Sequence, residues 1–204
     1  IIHEAVTLRQ KTARIARALD WLAADQNADG GWGDTPDSAG NIATTLLAWS
    51  AFALAAQEGG KHEPTLAAAR SWLGRQAGSL EPDRLVAAVH ERYGNDRTFS
   101  APILTMCALA GRLDGGRDAW HAVPPLPFEL GALPHRALRW LRLPVVSYAL
   151  PALIAIGHAR QHHRPSANPL RRLSARLARG ATLRRLAAIQ PESGGYLEAP
   201  PLTA

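Results

Sequence analysis

Apolar residues recur with a helical period up to about residue 22, lapse, and recur from residue 42. Ile15, Leu19 and Leu22, with Ala18 beside them, share one side of a helix, while Arg14, Arg17 and Asp25 fall on others. From Ile42 the apolar positions (Leu46, Leu47, Trp49, Phe52, Leu54) run nearly all round, which predicts a buried helix capped by Asn41. The same spacing predicts a helix from Pro64 through Leu66, Ala69 and Leu73 to about Gly74. Another runs from Pro82 through Leu85, Val86 and Val89, with Gly94 as its stop. A very apolar helix is expected over 101–110, capped by Ser100 with Pro102 in its first turn, and Leu183, Leu186 and Ile189 mark a late one. No alternating strand run appears, so the fold class is all-α.

Two stretches break the pattern. Residues 120–134 hold four prolines, which forbid a regular helix and predict an extended, rigid crossover. Residues 135–143 (HRALRWLRL) set Arg136, Arg139 and Arg142 three apart, with Leu138 and Leu141 on another face. Such a helix suits a lipid interface or the solvated basic face of a globular protein. The apolar run over 143–157 is interrupted by Pro144 and Pro151 and falls short of the roughly 20 residues that span a bilayer. It reads as a buried inner helix, or as a segment held against headgroups by the cations around it.

The joint between the first two helices is the most specific text. In QNADGGW, Gln26 sits where its amide can serve the last unpaired backbone groups of a helix. Gly30 or Gly31 can take the positive φ of a chain reversal, and Trp32 can fold back to pack. Gln190, Gly194 and Tyr196 repeat the spacing with Tyr for Trp, again after a helical pattern, and SWLGRQ over 71–76 echoes DWLAADQ without the Gly and Trp. Repeats of this kind imply stacked helical hairpins.

QNADGGW resembles the QxxxGxW repeat of the squalene cyclase, oxidosqualene cyclase and protein prenyltransferase superfamily. The Pro-Pro-containing, aromatic-bearing stretch over 123–130 after Trp120, running on into the apolar 145–156, is similar to the N-terminal half of squalene-hopene cyclases. The resemblance implies an α/α toroid of helical hairpins and covers nearly all of residues 1–204 as one N-terminal barrel domain. It implies a reaction in which a linear isoprenoid such as squalene is cyclised after protonation of a terminal alkene. The strong acid this requires belongs in the family to a DxDD motif. This sequence has none; Asp25 with Asp29 and Asp34 with Asp37 lie in or beside the turn, where capping is the expected role. The family's acid lies in its other half, so the chain is expected to be incomplete at its C-terminus and inactive without that partner half. Its own contribution would be cavity wall. Phe99, Trp120, Phe128 and Tyr148 are the candidate aromatics, able to stabilise cations through their π faces or else serving as ordinary core.

Charge and rare residues narrow the picture. The net charge is +6, but residues 130–191 hold eleven arginines and no acid, leaving twelve basic against seventeen acidic residues elsewhere. Cys107 stands alone in an apolar run, which excludes an internal disulfide or a Cys-rich zinc site and reads as core. His158 and His162, four apart, could share a helix face as metal ligands, but no carboxylate or Cys is near, so a basic surface is the better reading. No phosphate-loop or dinucleotide fingerprint occurs, and no cofactor or metal is expected. No signal-peptide pattern opens the chain, so a cytoplasmic-side, peripheral (monotopic) association with an anionic membrane surface is expected.

Two other function classes remain at this stage. One is a non-catalytic toroid module that binds an isoprenoid lipid or a partner protein, which the absence of DxDD favours. The other is nucleic-acid binding through the arginine block, disfavoured because 160–185 holds no aromatic to stack on bases.

Overall fold

The computed structural model describes residues 2–55, 60–94, 96–133 and 150–190. Among these, every regular element is a helix. The chain forms two compact units, one of residues 1–95 and 106–114, the other of residues 96–105 and 115–204.

In the first unit, α1 (Ile2–Ala24) meets α2 (Ile42–Leu54), and α2, α3 (Glu63–Ala77) and α4 (Pro82–Tyr93) pack on one another. Asn41 caps α2 as expected, its Oδ1 accepting from Thr44 N at 3.0 Å. The buried sides of these helices carry Leu46, Phe52, Leu66, Leu73, Leu85 and Val89. Burying a Leu or Phe side chain stabilises by roughly 1.5–3 kcal/mol, so this cluster anchors the unit.

Two boundaries and one buried face differ from the sequence reading. Helix α3 runs past Gly74 to Ala77, because Gly74 faces open space and Gly78, at φ 84, makes the left-handed stop. The next helix, α5 (Arg97–Leu109), starts before Ser100, so Ser100 is not its cap. Asp96 supplies that role, with Oδ1 accepting from Thr98 N at 2.9 Å and its carbonyl taking the Ser100 hydroxyl. Pro102 therefore lies inside α5. Finally, α1 buries Leu19 while Ile15 stays half exposed.

The second unit is built on α6 (Leu150–His163) and α7 (Pro169–Ile189), which pack on each other and on a 3-10 turn at Phe128–Ala132. A second 3-10 turn covers Ala119–His121. The crossover over 120–134 is thus not simply extended: its prolines exclude an α-helix but leave room for short 3-10 turns, in which a proline can act as acceptor, as Pro127 O does for Leu130 N at 3.1 Å. Two glycines let the layers close. A Cβ on Gly157 would lie 2.6 Å from Phe128 Cβ, and one on Gly131 would lie 3.1 Å from the Ile154 side chain.

Leu150, Pro151, Ile154, Ile156 and Gly157 of α6 are buried, which places the described part of the apolar 143–157 run in the core. Helix α7 buries only Ala175, Ala178 and Thr182. The helical pattern at Leu183 and Ile189 does not mark an inner face, since both are about 40% exposed. Among the described residues no helix is long and apolar enough to cross a membrane. Residues 135–143, Tyr148, Gly194 and Tyr196 lie outside the described residues.

Candidate functional site

The turn after α1 is held from four directions. Gln26 Nε2 donates to Gly30 O at 2.9 Å and to Thr65 O at 2.9 Å, so the amide spans the loop and reaches the start of α3. It does not serve the end of its own helix. Trp32 does that, its Nε1 donating to Leu22 O at 2.8 Å. The Trp32 backbone N donates to Thr45 Oγ1 at 3.0 Å, which ties the loop to α2. Gly30 adopts φ +94, and a Cβ there would stand 2.6 Å from Ala68 O, so only glycine fits on both counts.

Asp29 and Trp72 complete this joint, and periodicity gave no sign of either. Asp29 accepts from Gly31 N and from Trp72 Nε1, both at 3.0 Å, while Arg75 donates to the Asp29 carbonyl at 2.7 Å. The Gly31 amide and then the Trp72 indole hold the Asp29 carboxyl below its ordinary pKa. Asp34 is used in the same way: Thr44 and then Asn41 donate to it, at 2.8 Å each, and lower its pKa. Both aspartates are thereby engaged in turn hydrogen bonds. Trp72 is buried whereas Trp21, its counterpart in the echoed text, is 58% exposed, so the two segments are not equivalent in space.

The aromatic candidates sit differently from one another. Trp120 is buried and stacks on His163, ring centroids 4.4 Å apart. Phe128 is buried against His158 at 4.3 Å, while Phe99 on α5 is 55% exposed. Phe128 borders two cavities of about 470 Å³ each in the second unit. One is lined by Arg97, Arg160, Arg164, Arg171 and Glu129, the other by His158, His162, Arg172, Arg176, Arg179 and Leu183. The arginine block was visible in the sequence, but that Arg97 joins it from far upstream was not.

His158 and His162 do not converge. His158 Nε2 lies 2.8 Å from Thr182 Oγ1, which in turn donates to Ala178 O at 3.0 Å; the ring nitrogen is therefore assigned as the donor. Burial, then the Arg179 charge, push the His158 pKa down. His162 is exposed and meets His163 edge-on. Among the described residues no three His, Cys, Asp or Glu side chains gather as a metal site. Cys107 is fully buried, and burial pushes its thiol up to about 11.

Compared with known families, residues 1–149 match the model of the squalene-hopene cyclase N-terminal domain. The chain belongs to that family. The all-helical structure of the described residues is consistent with the α/α toroid fold of that domain. It is also 30% identical over 152 residues to the squalene hopane cyclase afumA of Aspergillus fumigatus (strain CBS 144.89 / FGSC A1163 / CEA10). That alignment covers 71% of this chain and 16% of the fungal protein, so the chain spans a small part of the relative's length. No solved structure matches it.

Proposed function

We propose that this chain is the N-terminal helical part of a squalene-hopene cyclase-like terpene cyclase and contributes wall to the apolar cavity in which squalene or a related linear isoprenoid is cyclised. The match of residues 1–149 to the N-terminal domain carries this reading. The joint around Gln26, Gly30 and Trp32 serves as the QxxxGxW-type brace of the barrel, and Phe99, Trp120, Phe128 and Tyr148 are the candidate aromatics for the cavity wall. The proton donor is assigned to a C-terminal cyclase half, because no DxDD stands in this sequence.

The substrate's low solubility calls for a membrane source. Helix α7 supports a peripheral role: Leu170, Leu173 and Leu177 are 75%, 54% and 76% exposed on its outward side, flanked by Arg171, Arg172 and Arg176. Apolar side chains rimmed by cations suit an anionic lipid interface, with each nearby Arg contributing about 1 kcal/mol.

Squalene in detergent micelles, added to the purified chain while tryptophan fluorescence and thermal unfolding are followed, tests the cavity assignment. A squalene-dependent rise in Tm with altered emission, reduced in Phe128→Ala and absent with a saturated alkane of equal length, is expected. No response to squalene beyond that of the alkane would overturn it.

A further inference from the structure

The cavity lined by Arg97, Arg160, Arg164 and Arg171 has one carboxylate, Glu129, among its lining residues. That leaves an excess of three positive charges. The four cations come from separate segments of one unit: the start of α5, α6, the residues just after α6 and the first turn of α7. Among the described residues none of them stands within ion-pair distance of a carboxylate. Arg160 is half-buried and fixed, its Nε donating to Val123 O at 2.7 Å. Clustered cations with a single carboxylate among them repel one another, and burial and then the Arg164 and Arg171 charges hold the Arg160 pKa below its ordinary value.

An anion in the cavity removes this conflict. The first free amides of α7 are not what would bind it, because Asn168 Oδ1 already accepts from Leu170 N at 2.9 Å and Arg171 N at 3.4 Å. The guanidiniums themselves are the donors. Their planar forks match phosphate oxygens bidentately, and each phosphate monoester brings roughly −1.5 to −2. Two linked phosphates therefore offset the excess, which a single carboxylate does not. We infer that this cavity is a binding site for a diphosphate-type anion, held by Arg97, Arg160, Arg164 and Arg171. The same phosphate chemistry can arrive as a free diphosphate or, offsetting only part of the excess, as the phosphate monoester of a lipid headgroup. This site requires no isoprenoid, although Phe128, assigned above to the isoprenoid cavity, also borders it.

The full chain is titrated calorimetrically with inorganic diphosphate and, at matched ionic strength, with acetate; flotation with vesicles of phosphatidic acid in phosphatidylcholine runs in parallel. The test variant is Arg97→Gln/Arg164→Gln, which spares the Arg160 bond to the backbone, and its Tm is checked against the parent. Diphosphate binding that weakens about tenfold or more in the variant, with acetate silent, supports a free diphosphate ligand. Binding of phosphatidic acid vesicles alone, weakened by the same substitutions, supports the headgroup. Binding of neither probe, or binding unchanged in the variant, overturns the site. Arg14→Gln/Arg17→Gln, exposed on α1, should leave the diphosphate Kd unchanged; an equal loss there would also overturn it.

Discussion

At the scale of single residues the first helical joint is fixed by sterics and by a small set of hydrogen bonds. Gly30→Ala adds a Cβ against Ala68 O at a positive φ, and Gly31→Ala adds one 2.7 Å from the Trp72 indole. Each is expected to lower stability by about 1–3 kcal/mol, read from chemical denaturation at constant m. Trp32→Phe keeps most of the packing but loses the bond to Leu22 O, a cost of about 1 kcal/mol in the same experiment. For His158 the sign is set by its lowered pKa: the unfolded chain binds the proton more readily, so stability is full above the ordinary value of 6.5 and falls as pH drops below it. Replacing the titratable imidazole in His158→Phe should flatten that part of the pH–stability curve. The buried Cys107 thiol, with its pKa near 11, should resist iodoacetamide at pH 8 until the chain is unfolded. Labelling of the native chain at the unfolded rate would contradict its burial.

Elements built on a clean period were legible, and those built on exceptions were not. Helices α2 and α4 appear where Ile42, Leu46, Leu85 and Val89 put them, because a full apolar stripe has one way to be buried. Helix α7 inverts that logic. Its arginines leave too little apolar surface for a wide inner stripe, so Ala175, Ala178 and Thr182 make a narrow contact and the leucines face out. Periodicity alone registers that leucines share a side, not which side is covered. The 3-10 turn at Phe128–Ala132 was hidden by the prolines just before it, which exclude one helix type and say little about the other. Likewise Gln26 and Trp32 were recognisable as partners of one turn, yet the exchange of roles between them depends on Thr65, 39 residues away. If the outward leucines engage lipid, Leu173→Ser/Leu177→Ser should lower partition to anionic vesicles several-fold while far-UV circular dichroism is unchanged.

For the whole molecule, the family was legible as a resemblance carried by one seven-residue turn, with the proline-rich crossover as added support, and the match of residues 1–149 bears it out. What the chain handles was not, since cavity wall is made of the same aromatics as any core, and Trp120 and Phe128 are buried against histidines within their own unit. The charge division is a property at this scale as well: a cationic block of eleven arginines over 130–191 against a net acidic remainder. It makes the membrane reading sensitive to salt, as exposed charges are screened beyond about 10 Å at 0.1 M. The central proposal, that this domain of the cyclase family meets an isoprenoid at a membrane, is tested most directly by flotation of the purified chain. Anionic and neutral liposomes, with and without squalene, are compared at two salt concentrations. The chain should float with anionic liposomes at low salt, float less at high salt, and be held more firmly when squalene is present. A chain that stays at the bottom of the gradient with every liposome, squalene or not, would contradict the account.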